Sequence, residues 1–406
     1  MVSRIVMMIL DGIGDRPVKE LGGKTPLEKA NTPNLDRYAK EGVNGIMDTI
    51  APGIVPGSDT GHLALLGYDP YEVYTGRGPF EASGLGMELR KGQVVFRCNF
   101  GTLEDGMVVD RRAGRIKRGT DSLAEAVNDM DFDVDFIFKE SVEHRAVLIF
   151  NDRSLGSSVS DVDPHEEDIP LKSSEALDGS NSSKRTAELI NKFTEKTIDV
   201  LSEHPVNLKR KEKGSPPANV ILSRGAGSVP DMKPLRDIKG IKSAAIAGIP
   251  LVRGVCELAG MDIIQVGGAT GGLDTDIGSI ISAVVENIDD YDFILVNVKG
   301  PDISGHDGDY EAKVDFIERI DSALPVLDSI ENTYFAFTGD HSTPITVKNH
   351  SGDPLPLVIY GDEVRIDNVV SYGERTCAAG GLGRLKGSDL LNVLMDLANR
   401  AEKFGA

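Results

Sequence analysis

Five segments of the chain carry side chains of the kinds that hold cations or move phosphoryl groups. Asp302-Ile-Ser-Gly-His306 places a carboxylate and an imidazole four residues apart, on one face if the segment is helical. The same spacing also suits a plain solvated helix face. Thr338-Gly-Asp-His341 puts two potential ligands side by side, and His350 follows nine residues later. Asp11 stands at the end of an apolar run. Val55-Pro-Gly-Ser-Asp-Thr-Gly-His62 brings Ser58 to the start of an apolar helical stretch, where a serine either caps the helix or meets a phosphate at its free amides. Together, Asp302, His306 and His350 can hold one divalent cation, and Asp11, Ser58, Asp340 and His341 a second. Gathered carboxylates repel one another, and about four positive charges would relieve that. Mixed Asp/His ligation suits manganese or zinc better than calcium, with magnesium also open.

These residues need a scaffold that delivers them to one place. Ile5 to Leu10, 292–298 and 334–338 are continuous apolar runs that end in the polar clusters, as strands buried on both faces of a parallel sheet do. Helical stretches over 275–288 and 310–330 lie between them, so the sequence predicts a doubly wound α/β sheet. Ligands of such sheets bind beyond the carboxyl ends of the strands. From about Arg77 to Ala218 the sequence is more polar and broken, which predicts an inserted α+β domain over 77–218, with 1–76 and 219–406 forming the metal-binding domain.

The 406 residues include 64 acids and 44 bases, a net charge of −20 that argues against nucleic-acid binding and against anionic lipid. Cys98, Cys256 and Cys377 have no CxxC spacing, so neither a disulfide framework nor a thiolate zinc site is expected. The six-residue apolar run near the N-terminus lacks a cleavage site, and no window approaches membrane-span length, so the expectation is a cytoplasmic protein.

The ordered set Asp11, Ser58, Asp302-x-x-x-His306, Asp340-His341 and His350 resembles the metal signature of the alkaline phosphatase superfamily, and within it the archaeal-type cofactor-independent phosphoglycerate mutases. Supporting stretches are Met8-Ile-Leu-Asp-Gly12, Asn31-Thr-Pro-Asn-Leu-Asp36, Tyr74-Thr-Gly-Arg-Gly-Pro-Phe-Glu81, Arg97-Cys-Asn-Phe-Gly-Thr102, Asp161-Val-Asp-Pro-His165 and Lys299-Gly-Pro-Asp302. The resemblance implies an alkaline-phosphatase-like fold with two divalent metals (manganese first, then magnesium, zinc or cobalt). It also implies interconversion of 2- and 3-phosphoglycerate through a phosphoserine on Ser58, with the insert closing as a lid. His165 and Asp161 resemble substrate contacts of longer mutases, although Val162-Asp163 stands where those have a Gly-Gly step and an exposed Asx-turn is the plain alternative. Lys299, Arg224, Arg253 and Arg77 are further candidates for phosphate or carboxylate contact, each with an ordinary surface reading beside it. His62 is either a supporting residue or simply buried, and His144 and His204 are expected to be exposed. A phosphatase, a phosphodiesterase or a phosphopentomutase of the same superfamily would share the ligand set. The residues after Ser58 lack the pattern a sulfatase needs.

Overall fold

The computed structural model describes residues 3–403 and 405 and divides into two compact units, Met1–Val73 with Met232–Ala406, and Tyr74–Asp231. Unit 1 opens with β1 (Arg4–Leu10) and β2 (Val43–Asp48). Unit 2 holds β3 (Val94–Glu104), β4 (Met107–Asp110), β5 (Phe136–Glu140), β6 (Arg145–Phe150), β7 (Ile169–Pro170) and β8 (Val220–Ser228). Unit 1 resumes with β9 (Ser243–Ala247), β10 (Asp262–Ile263), β11 (Phe293–Val298), β12 (Thr333–Thr338), β13 (Leu355–Tyr360) and β14 (Gly383–Lys386).

The eight strands of unit 1 run in the order β10-β9-β11-β1-β12-β13-β2-β14. All neighbours are parallel except β13, which is antiparallel to both β12 and β2. Ile5 through Leu10 and Phe293 through Val296 are fully buried, as expected of strands covered by helices on both faces. Because β1 lies between β11 and β12, the exits of these three strands are adjacent, and each exit carries a polar cluster. The helical stretch read over 310–330 is a helix over Tyr310–Ala323 continued by a 3-10 turn over Leu324–Ser329, since Pro325 cannot extend the α-helical hydrogen bonding.

Unit 2 is wholly antiparallel, with β3 pairing β4, β6 and β8. A core containing Phe96, Phe100, Phe138, Phe150 and Phe193 joins this sheet to the helix Asn181–Ser202. The expected exit at Pro216-Pro217 falls short. The chain crosses β8 first, and seven register pairs with β3 keep Val220–Ser228 in the insert. His144 is buried rather than exposed, and burial, reinforced by Arg145 and Arg112, lowers its imidazole to about 3.

Glu374 lies beside the loop that leaves β1. The Asp15 amide donates to its Oε1 (3.2 Å) and the Thr25 hydroxyl to its Oε2 (2.8 Å). Burial, with a contribution from Glu28, pushes its carboxyl from 4.5 up to about 7. A carboxyl raised on folding stabilises the fold below its unfolded value and loses that contribution as pH rises through the folded one. Stability is therefore expected to fall by roughly 3 kcal/mol as the pH rises from 4.5 through 7 by way of this group. In urea titrations at pH 5, 6, 7 and 8, Glu374→Gln should flatten that decline, and an unchanged slope would remove Glu374 as its source.

Candidate metal and phosphoryl-transfer site

Asp11 leaves β1, Lys299 leaves β11, and Asp340 and His341 leave β12, so the sheet order alone gathers four of the side chains. Two glycines permit the close approaches around them. Gly12 has φ +68°, and a Cβ there would lie 2.6 Å from the Asp302 Cα. A Cβ on Gly61 would lie 2.7 Å from the Asp340 carbonyl oxygen, so the Ser58 helix can pack against the exit of β12 only without one. That helix spans Ser58–Leu65 with Gly57 as its N-cap. Ser58 is thus the first helical residue rather than the cap, and the Thr60 hydroxyl accepts from the Gly57 amide (3.0 Å).

His341 is the hub. Its Nε2 lies 3.2 Å from Ser58 Oγ, 3.5 Å from Asp11 Oδ1 and 3.4 Å from Asp340 Oδ2. Its Nδ1 lies 3.0 Å from Thr343 Oγ1, whose hydroxyl donates to Asp302 Oδ1 (2.7 Å). With that proton committed, Thr343 can only accept from His341, which puts the ring hydrogen on Nδ1 and leaves the Nε2 lone pair facing Asp11, Asp340 and Ser58. Burial, then His350, holds His341 well below the usual histidine range, so the ring is neutral.

His350 donates through Nδ1 to the Pro56 carbonyl (2.8 Å) and turns Nε2 towards Asp302 Oδ1 (3.5 Å). His306, one helical turn after Asp302 in the helix Gly300–Asp307, brings Nε2 to 3.4 Å from the same oxygen, while its Nδ1 meets the Lys348 carbonyl at 3.1 Å. The structure therefore brings all seven proposed ligands into one neighbourhood. Ligand atoms of Asp302, His341 and His350 lie within 4.8 Å of one another, as do those of Asp11, Asp340 and His341. His306 stands outside both tight groups, and its side chain is 39% exposed.

The charge balance favours a cation. Asp11, Asp302 and Asp340 face one ammonium, Lys299, whose Nζ lies 2.9 Å from Asp11 Oδ1 and 2.7 Å from Asp302 Oδ2. Lys299 is not a surface lysine: burial disfavours its charge, yet Asp11 and Asp302 hold its ammonium above the usual range. Burial would raise Asp302 as well, but Lys299 and the three histidines hold it well below the carboxylate range. Burial and then the Asp11 charge push Asp340 well above it, and Asp340 Oδ2 is buried with no hydrogen-bond partner. A buried carboxylate oxygen left unpaired beside two other carboxylates and a bare imidazole nitrogen suits a divalent metal.

Two residues support this site, Asn297, which carried no sequence signal, and His62, for which a supporting role and plain burial both stood open. Asn297 donates from Nδ2 to Asp11 Oδ2 (2.9 Å) and contacts His62 Nε2 (3.2 Å), and His62 Nδ1 donates to the Ser58 carbonyl (2.7 Å). A chain of hydrogen bonds thus ties the Ser58 helix to Asp11 through a fully buried imidazole that burial keeps neutral. His62 is therefore both buried and engaged. Asn297 gave no signal because it interrupts an apolar strand by a single residue.

The remaining substrate candidates divide between the units. Arg253 lies in unit 1 on the helix Pro250–Leu258, with its Nε buried and unpaired. Within unit 2, Arg77 bonds Glu81 (3.0 Å) and Arg224 NH1 lies 3.5 Å from Asp163 Oδ2. Asp161 accepts from the Gly225 amide (2.8 Å) and pairs with His165 Nε2 (2.8 Å). The His165 amide donates to Asp163 Oδ1, so the loop is an Asx-turn with a half-exposed histidine. Arg111, which was not among the sequence candidates, makes a bidentate pair with Asp163 (2.7 and 2.7 Å). It lines an open cavity of about 580 Å³ with Arg112, Arg115 and His165.

A family model described as 2,3-bisphosphoglycerate-independent phosphoglycerate mutase matches residues 39–207. The chain is 53% identical, over 99% of both chains, to 2,3-bisphosphoglycerate-independent phosphoglycerate mutase 1 of Methanothermobacter thermautotrophicus. It is 51% identical, again over 99% of both, to the mutase of Methanosphaera stadtmanae. Among solved structures it is similar to the cofactor-independent phosphoglycerate mutase of Thermoplasma acidophilum (39% identity, TM-score 0.72, 98% of this chain and 100% of that one). A Pyrococcus horikoshii protein is similar at 39% identity and TM-score 0.89, with both chains covered completely.

Proposed function

Because the chain belongs to the 2,3-bisphosphoglycerate-independent phosphoglycerate mutase family, we propose that it interconverts 2- and 3-phosphoglycerate through a phosphoserine on Ser58. The observation that carries the serine assignment is the placement of Ser58 Oγ 3.2 Å from His341 Nε2, beside Asp11 and Asp340.

Under this reading Asp302, His306 and His350 hold one divalent cation, while Asp11, Ser58, Asp340 and His341 hold the other, with manganese the first choice. Bound there, the cations would lower the pKa of the serine hydroxyl and neutralise phosphoryl charge. Ser58 Oγ forms a bond to phosphorus as the bond from phosphorus to the glycerate oxygen breaks, and the released alkoxide takes up a proton. The other glycerate hydroxyl then attacks phosphoserine, loses its proton and restores Ser58. His62 and Asn297 keep the Ser58 helix and Asp11 in register, and the Ser58 helix N-terminus offers amides to the phosphoryl oxygens. Arg77, Arg224, Arg253, Lys299, Asp161 and His165 are the proposed substrate contacts. Retention of the phosphoryl group needs water excluded, a role this reading gives to the insert.

The test is a coupled assay for 2-phosphoglycerate formation from 3-phosphoglycerate, in buffer free of 2,3-bisphosphoglycerate and with manganese present. Interconversion without release of inorganic phosphate is the expected result. Release at a rate equal to isomerisation would make the chain a hydrolase, and a requirement for 2,3-bisphosphoglycerate would rule out the serine route.

A further inference from the structure

Beneath the proposed metal ligands lies a charged group that the reaction itself does not use. Lys313, on the helix Tyr310–Ala323, is wholly buried. Its ammonium donates to Asp15 Oδ2 (2.8 Å), the Thr343 carbonyl (3.0 Å) and the Gly14 carbonyl (3.4 Å). Gly14 and Asp15 belong to the loop that leaves β1 just after Asp11, and Thr343 to the loop that leaves β12 just after His341. Asp15, itself buried, completes the brace: its carboxylate accepts from the Ile345 amide through both oxygens (3.1 and 3.2 Å). The Thr343 amide also donates to the Gly14 carbonyl (3.1 Å).

We infer that Lys313 is a positioning residue for metal binding, its ammonium clamping the β1 and β12 exit loops so that Asp11, Asp340 and His341 hold their mutual distances. Three features support this over generic core packing. A wholly buried lysine is costly unless its charge is paired and its protons are used, and here three acceptors surround it. All of its acceptors lie on the two loops that carry proposed ligands. Thr343, whose carbonyl it holds, also bonds Asp302 and His341 through its hydroxyl, so movement of this loop displaces residues of both ligand groups. Small displacements matter, because a site of this type tolerates errors of only about 0.5 Å.

The inference rests on the proposed metal site, so the experiment reads metal binding directly. Manganese affinity is measured by equilibrium dialysis without substrate, together with the melting temperature of the metal-free protein. Lys313→Met alone strands the Asp15 carboxylate, so the deciding variant is the double Asp15→Asn, Lys313→Met, with Asp15→Asn as its companion. The double variant should keep a cooperative fold but bind manganese at least ten-fold more weakly. Asp15→Asn, which retains the ammonium and both carbonyl bonds, should stay within about threefold of wild type. Wild-type affinity in the double variant, or an equal loss in Asp15→Asn, overturns the assignment of the clamp to Lys313. Failure of the double variant to fold also overturns it, by making Lys313 a folding residue. Absence of manganese binding by the wild-type protein would instead overturn the metal site.

Discussion

Ser58→Ala is expected to lower kcat for phosphoglycerate interconversion by about 10⁴-fold or more, the scale of losses seen when a covalent nucleophile is removed. The Thr343 hydroxyl, which also meets His341, is already engaged. It donates to Asp302 and accepts from His341, and these two bonds hold it in a supporting position between the ligands. Metal content should change little, because the two ligand groups keep their carboxylates and imidazoles without the serine. The backbone should hold too: the Ser58 carbonyl still accepts from His62, and Gly57 remains the N-cap. Incubation with radiolabelled phosphoglycerate should leave acid-stable label on wild type and none on the variant. Turnover within about a hundred-fold of wild type would sink Ser58 as the nucleophile.

Much of this arrangement could be read from residue types because its logic is local. Apolar runs closed by Asp11 and Asp340 announce buried parallel strands, and parallel strands deliver their exits to one edge. The i, i+4 spacing of Asp302 and His306 needs only a helix to become a contact, and the helix Gly300–Asp307 supplies it. What the sequence hid depends on long-range pairing. Asn297 and His62 meet across 235 positions, and Lys313 reaches Asp15 across 298. Neither pair has a spacing rule. The insert boundary was missed for the same reason: Pro216-Pro217 reads as a linker, but membership of β8 is decided by its register with β3, more than a hundred residues earlier. His144 was misjudged because a lone histidine carries no burial signal until β3 and β6 close around it, with the Phe100 amide bonded to its carbonyl.

Exhaustive chelation is expected to abolish activity and to destabilise unit 1 alone. Every candidate ligand lies in Met1–Val73 or Met232–Ala406, so ligand binding stabilises that unit by mass action and leaves Tyr74–Asp231 unaffected. At a manganese concentration a hundred times the dissociation constant the stabilisation is about 2.7 kcal/mol per site and about 5.4 kcal/mol for two, which corresponds to a fall of about 10 °C in the unit 1 transition when both ions are removed. Calorimetry with and without chelator should show one transition moving and one standing still. Manganese should restore activity at lower concentration than calcium, because His341, His350 and His306 offer nitrogen donors that an oxygen-seeking cation uses poorly. Acidification should weaken the restored binding, since each imidazole must stay unprotonated to ligate. The cause is electrostatic: without a cation, one ammonium at Lys299 faces the carboxylates of Asp11, Asp302 and Asp340, and Asp340 Oδ2 has no hydrogen-bond partner. Full activity in metal-free buffer would mean that Lys299 alone balances those charges during phosphoryl transfer, and the two-cation reading would fall.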